Sequence, residues 1–315
     1  MEILFYRYNS ICEPDIIQVF ENFGITVHRE EMEMHDKNIT PRLCSARVAE
    51  WILSHPLSFV FTVNFFPAIS YTCNHFKVPY VCWSVDSPVP ELFSNALKNE
   101  YNRIFLFDKA QYDFFAPVNP SCIHYLPLAT NVKRWEQVIL SMTEEDYRQY
   151  GSDVSFVGSL YTEKCKYDTL VSSGKLSDYT RGFVDGLIES QLHVYGYNFI
   201  MDNLTDRVVS EIASADPQFY HGTDTFMDTD RYLVAHQYIG MKLAAVERQR
   251  TLAALSEHFS VNLYTRSDAS TLPKVHNRGG ASTLTEMPKV FQASKINLNM
   301  TMRPIETGLS LRVWD

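Results

Sequence analysis

Residues Ser58–Phe66 read SFVFTVNFF, and the run shows almost no alternation of apolar and polar positions. A strand with apolar side chains on both faces must be buried on both. It is preceded by Arg42–Pro56, RLCSARVAEWILSHP, whose apolar residues fall at helical spacing and which a proline ends. An amphipathic helix feeding a fully buried strand predicts a parallel sheet covered by helices on both sides. Upstream, EILFYRY (Glu2–Tyr8) is strand-like, EPDIIQVFENFG (Glu13–Gly24) is a helix stopped by Gly24, and ITVHRE is a second strand. Downstream, VPYVCWSVDSP, RIFLFD and CIHYLPLAT continue the alternation. Residues 1–130 therefore predict one doubly wound half-molecule.

Residues Asn131–Gly151 are polar and helical, and DVSFVGSLYTEK then opens a new unit with a strand and a glycine turn, which puts the boundary between 135 and 152. Residues 166–250 are mostly helical. After them SVNLYT reads as a strand, RGGAS as a turn, EMPKVFQAS as a short helix and KINLNMT as a buried strand. The expectation is α/β with two Rossmann-like doubly wound domains, 1–140 and 141–315, the second with a helical insertion at about 166–250. The length of 315 residues agrees with two domains of roughly 150 each.

The balance of 45% hydrophobic and 21% charged residues is that of a folded globular chain. A net charge of -9 argues against a nucleic-acid partner, whose affinity comes from clustered Lys and Arg. The six cysteines are scattered, with no C-x-x-C pair, and read as reduced thiols of a cytoplasmic protein. The N-terminus reads as a first strand, not a secretion signal. No run approaches the roughly 20 apolar residues that span a bilayer, so membrane contact would be peripheral. There is no H-E-x-x-H, compact His-carboxylate group, G-x-S-x-G elbow or Walker loop. No metal site is expected.

Ligands of open α/β sheets bind at the carboxyl ends of strands. That rule selects Asn64, a binding residue or simply a turn cap. It also selects WSVDSP, where Asp86 is placed for general-base work and Trp83 offers a flat face, unless Asp86 and Ser87 only form an Asx turn before Pro88. In FVGSLYTEK, Gly158 lets the backbone approach a diphosphate and Lys164 offers charge, although a βα turn uses glycine anyway. In the closing stretch, Asn297, Asn299 and Thr301 mark one face of the expected strand, with Arg303 at its end. A helix starting near Thr307 and Gly308 would aim its N–H groups at an anion, with Glu306 or Asp315 on ribose hydroxyls.

Together VNFFPAISYTCNHFKVPYVCWSVDSP, YLPLATN, DVSFVGSLYTEK, GLIESQLHVYGYNF, VNLYT and EMPKVFQASKINLNMTMRPIETGLSLRVWD resemble the GT-B glycosyltransferase-like proteins related to the spore-maturation (CgeB-type) proteins. The resemblance covers nearly the whole chain and is most specific in the tail. It implies two Rossmann-like domains facing one another across a cleft, the N-terminal one presenting the acceptor and the C-terminal one binding a nucleotide sugar, UDP- or GDP-linked. No metal and no cofactor is implied. By the same resemblance Gly158 and Lys164 lie on the diphosphate side and Tyr264 with Arg266 where the base docks. Gly279 and Gly280 form a turn beside the donor, and Arg303, Glu306, Gly308 and Arg312 make the phosphate and sugar block. Asp315 engages the ribose, and Asp86 is the base on the acceptor side.

Two functions of different class follow. One is transfer of a sugar to a hydroxyl of a protein or cell-surface glycan. The other is a non-catalytic glycan- or protein-binding module of the same fold; a nucleotide-sugar epimerase is a third, which fold alone does not exclude. Related chains continue beyond LSLRVWD with further helix and strand, so the sequence is expected to be truncated and its donor pocket incomplete.

Overall fold

The first sheet is built from β1 (Glu2–Tyr6), β2 (Thr26–Glu30), β3 (Phe59–Val63), β4 (Tyr80–Ser84), β5 (Asn102–Leu106) and β6 (Ile123–Tyr125). All pair in parallel, in the order β2-β1-β3-β4-β5-β6. The computed structural model describes residues 1–222 and 224–315. Ile3, Leu4, Phe5 and Tyr6 are all buried because helices cover both faces of β1. The helix Glu13–Asn22 packs Ile17 and Phe20 onto Phe5, Phe61 and Val63. On the other face Tyr6 lies against Cys44 of the helix Pro41–Ser54. Each such buried aromatic or aliphatic side chain contributes about 1.5–3 kcal/mol. Gly24, at φ +73°, turns the chain from the first helix into β2.

The chain divides into two units, the first comprising Met1–Ala129, Gly222–Thr229 and Thr307–Leu309. Its two late segments are tied in by specific bonds. The Tyr71 hydroxyl donates to Asp224 Oδ2 at 2.7 Å, Asn95 Nδ2 donates to Asp224 Oδ1 at 3.0 Å, and Phe226 stacks on Phe93. The Thr307 hydroxyl donates to buried Asp108 at 2.6 Å, and the Thr307 N–H reaches the same oxygen at 3.1 Å. Gly308 sits so close that a Cβ there would lie 2.8 Å from the Phe107 ring and 3.1 Å from the Asp108 Cα. Only glycine allows that approach.

The second unit, Thr130–His221, Asp230–Glu306 and Ser310–Asp315, holds β7 (Ser152–Val157), β8 (Val261–Tyr264), β9 (His276–Asn277) and β10 (Ser294–Asn297). These are also parallel, in the order β10-β7-β8-β9. Both units are thus Rossmann-like α/β structures of parallel strands and helices. The long connection from β7 to β8 is helical, from Lys166–Ser172 through Asp178–Leu192 and Asp206–Ala215 to Gly240–Ser256. One stretch of it, Val234–Ile239, is a π-helix. Among the described residues no helix is long and apolar enough to cross a membrane.

Two expectations about the tail are corrected. The strand ends at Asn297, so Asn299 and Thr301 do not extend one strand face, and Lys295, Ile296 and Asn297 are exposed, not buried. β10 is an edge strand, paired on one side only, which leaves it open to solvent along its outer edge. The last helix starts at Leu311, with Ser310 at its N-cap, not near Thr307 and Gly308. Those two residues are instead taken by Asp108 and Phe107.

Candidate functional site

Each sheet has one place where the strand order reverses. In the first unit the chain runs from β1 to β2 on one side and then crosses to β3 on the other, so the crevice lies between the carboxyl ends of β1 and β3. In the second, β8 and β9 extend away from β7 on one side and β10 joins on the other, which puts the crevice between β7 and β10.

At the first crevice Asn64, directly after β3, adopts φ +59°, a left-handed conformation that costs about 1–2 kcal/mol for most residues and that Asn tolerates best. Its Oδ1 accepts the N–H groups of Val85 at 3.0 Å and Asp86 at 3.3 Å. Its Nδ2 donates to Asp86 Oδ2 at 2.6 Å and to the Tyr8 hydroxyl at 2.8 Å. The side chain of Asn64 therefore fixes both the backbone and one carboxylate oxygen of Asp86, which stays exposed. Burial, and then the Asp86 charge, drive the Tyr8 phenol well above its usual range, so it remains a neutral O–H. Glu13, fully buried in the first turn of its helix, accepts from Tyr8 N–H at 2.9 Å, Ser10 N–H at 3.0 Å and Arg7 Nε at 3.1 Å. That carboxylate shapes the loop that carries Tyr8.

Trp83 is half-buried: it packs against the Phe5, Phe61 and Val63 cluster, and its Nε1 donates to the Leu126 carbonyl at 3.3 Å. Ser87 is half-buried beside Asp86, and its peptide to Pro88 is cis.

At the second crevice the walls are joined by a residue not anticipated from sequence. Arg248, on the helix Gly240–Ser256, is buried and donates from Nη1 to the Ser159 carbonyl after β7 and from Nη2 to the Met300 carbonyl after β10, both at 2.6 Å. The Tyr161 ring lies 4.3 Å from its guanidinium carbon. Burial pulls its pKa down, as it does for Arg312, and the nearby Arg312 charge adds a smaller push in the same direction. An arginine inside a long helix carries no local mark of such a role, which is why the sequence does not reveal it.

Beyond this strap lies a cavity of about 480 Å³ lined by Tyr195, Tyr197, Asn198, Glu247, Asn299, Thr301, Arg303 and Glu306 among others. Arg303 pairs with Glu247 at 2.6 Å and stacks on the Tyr195 ring at 4.5 Å. Asn299 Nδ2 donates to the Thr301 hydroxyl at 2.9 Å, and that hydroxyl lies 3.2 Å from Ser310 Oγ. Asn297 accepts from Ser155 Oγ at 2.6 Å and donates to the Phe291 carbonyl at 2.9 Å, which ties β10 to β7 and to the preceding helix.

The other expected residues fall in separate places. The Gly158 N–H donates to the Tyr264 carbonyl at 3.0 Å and continues the β7–β8 ladder, while Lys164 is exposed in the short turn Thr162–Lys164. Arg266, Gly279 and Gly280 do come together: a Cβ on Gly280 would lie 2.9 Å from Arg266 Nε, and Gly279 turns at φ +78°. Tyr264 and Gly280 line a second cavity of about 160 Å³ with Tyr150, Arg278 and Glu286. Arg312 pairs with Asp315 at 3.6 Å and lies over the Phe291 ring. Gly308 belongs to the first unit, against Phe107 and Asp108. Among the described residues no group of three or more His, Cys, Asp or Glu is arranged to hold a metal ion.

No family model matches the sequence, and no curated protein matches it. Among solved structures, Anabaena Alr3699/HepE in complex with UDP and glucose aligns with 94% of this chain and 73% of that chain, at 11% identity and a TM-score of 0.40. At that level the likeness decides nothing about chemistry, which rests on the side chains described above.

Proposed function

We propose that the chain is a glycosyltransferase of the GT-B-like, CgeB-related kind, passing a sugar from a UDP- or GDP-linked donor to a hydroxyl of a protein or glycan without a metal. The observation that supports the proposal is that each unit carries polar side chains at its own strand-order reversal, where α/β folds bind ligands: Asn64 and Asp86 in the first, Asn299 and Arg303 in the second. In the first unit Asp86 is a clamped but exposed carboxylate. It takes the proton of the acceptor hydroxyl as that oxygen attacks the anomeric carbon, while the bond from that carbon to the diphosphate oxygen breaks and the nucleoside diphosphate departs. In the second unit the β7/β10 crevice receives the donor, with Arg303, Glu306 and Asn299 on its lining and Lys164, Arg312 and Asp315 assigned to the diphosphate and ribose. Gly158, Tyr264, Arg266, Gly279 and Gly280 supply the backbone and base-side surface. Positive side chains stabilise the charge that develops on the leaving diphosphate.

The test is a screen of UDP- and GDP-sugars that detects released nucleoside diphosphate, paired with calorimetric titration of UDP and GDP. Saturable nucleotide binding with turnover on at least one donor is the expected result. Silence across all donors with no nucleotide binding overturns the proposal.

A further inference from the structure

We infer that the cavity beside β10 is a saccharide subsite whose platform is the pair of tyrosine rings in Val194–Asn198, VYGYN; the inference rests on the glycosyltransferase reading only in supposing that this sugar arrives on a nucleotide. The two rings are unusually open for large side chains, Tyr195 keeping 74% and Tyr197 60% of its surface exposed. They are not on a loose loop. Gln191, fully buried in the helix Asp178–Leu192, donates from Nε2 to the Val194 carbonyl at 3.1 Å and to the Tyr197 carbonyl at 2.9 Å, and its Oε1 accepts from Phe199 N–H at 2.9 Å. One buried amide thereby holds both ends of the turn, and Gly196, at φ +79°, supplies the left-handed residue between the rings. The Tyr197 hydroxyl is bonded to Asp202, which fixes that ring. Arg303 lies against Tyr195 and reaches toward the Val194 carbonyl at 3.5 Å.

Exposed aromatic rings held rigidly at the rim of a polar cavity match a sugar, which offers a flat apolar C–H face to a ring and hydroxyls to donors and acceptors around it. The lining supplies both kinds of polar partner: the amides of Asn198 and Asn299, the Thr301 hydroxyl, and the carboxylates of Glu247 and Glu306. Its charged side chains are two Glu and one Arg, and Arg303 is already paired with Glu247. That balance disfavours seating a diphosphate inside the cavity and favours a neutral polyol. A nucleobase would stack on the same rings, and the experiment separates the two.

Tyr195→Ala, Tyr197→Ala and the conservative Tyr195→Phe are made in the full chain, with folding checked by circular dichroism. Each protein is titrated with UDP, GDP, UDP-glucose and GDP-mannose, and separately with free maltotriose and N,N′-diacetylchitobiose by saturation-transfer NMR. The expected result is that each alanine variant weakens binding of a sugar-bearing ligand by roughly three- to tenfold, the worth of one ring contact, while Tyr195→Phe retains it and the affinity for UDP and GDP stays the same. An equal loss for free nucleotide assigns the rings to the base and overturns the inference. Unchanged binding of every sugar also overturns it, leaving the glycosyltransferase reading intact where nucleotide still binds. Tyrosine-dependent binding of free saccharide without any nucleotide binding upholds the subsite and removes the nucleotide-sugar reading. No binding of any probe removes both.

Discussion

The two strand-order reversals solve the problem of buried polarity in different ways. In the first unit buried polar groups satisfy one another: Thr62 Oγ1 meets Tyr80 at 2.6 Å, Ser70 donates to Asn102 at 2.7 Å, and Asn64 at the crevice joins Tyr8, Asp86 and two backbone N–H groups. Gln111 and the Asn74 oxygen are its exceptions. Among the described residues of the second unit, Arg248 Nε, Arg303 Nε, His236 Nδ1, Trp135 Nε1 and the Tyr167 and Tyr264 hydroxyls are buried without a hydrogen-bond partner. An unmade buried hydrogen bond costs about 1–3 kcal/mol, so the Asn64 network of the first unit is finished, while Arg248 and Arg303 leave unmet polar capacity at the walls of the second crevice. A finished network suits a group that must be held still, such as a base. Unmet capacity next to a polar cavity suits a binding surface whose partner arrives from outside.

The sharpest way to break this comparison is to remove the carboxylate that the first network holds. Asp86→Asn keeps the Asn64 contact and removes the proton acceptor, and the transfer rate is expected to fall by about 10²–10⁴-fold with little change in donor affinity. An unchanged rate in a donor-turnover assay points to a retaining course without a base. The counterpart in the second unit is Arg248→Met, which keeps the stem and removes the strap between the Ser159 and Met300 carbonyls. The two orphaned carbonyls, partly offset by no longer burying a charge, predict a loss of about 2–4 kcal/mol. Urea unfolding followed through Trp135, a buried residue of the second unit, measures it.

The same contrast explains what the sequence could disclose. SFVFTVNFF and its flanking helix dictate a buried parallel strand because burial on both faces is written into the residues themselves. Asn64 and Asp86 stand out in the sequence as polar residues that follow strands, and Arg303 as one that follows an expected strand, all matters of local order. Arg248 and Gln191 carry no such local mark. Each sits within a helix, and its importance comes from carbonyls far along the chain or from a turn that only tertiary packing closes. The two-residue strand β9 is likewise invisible, since His276 and Asn277 are exposed and pair only because β8 lies alongside. In the tail the spacing of Asn297, Asn299 and Thr301 imitates a strand face, but the chain leaves β7 after the Leu298 N–H has bonded the Ser155 carbonyl at 2.9 Å.

The unmet polarity of the second unit also predicts a pH dependence. His236, buried in the π-helix against Tyr232, has its pKa lowered from 6.5 to about 4 by burial. The folded form therefore stays neutral where the unfolded chain binds a proton. Stability is unaffected by this group above pH 6.5 and falls as the pH drops from 6.5 toward 4, reaching a loss of about 2 kcal/mol near pH 5. His236→Gln should flatten that slope in urea titrations between pH 8 and pH 5. A slope equal to that of the wild type would assign the acid sensitivity to carboxylates instead.

The smallest effect separates the two things Asn64 does, which are to accept a left-handed backbone and to clamp Asp86. Asn64→Gly keeps the conformation at φ +59° without strain and loses the clamp, whereas Asn64→Ala loses the clamp and adds the left-handed penalty of a Cβ. The glycine variant still loosens the unfolded chain, which narrows the difference between the two. The alanine variant is expected to be less stable than the glycine variant by about 1 kcal/mol, read as a shift in urea midpoint at equal slope. If both variants lose the same stability, the clamp alone matters and the backbone has relaxed out of the left-handed region. If alanine is the more stable, the strain at the end of β3 is not held by the surrounding sheet, and the network around Asp86 is less rigid than its hydrogen bonds imply.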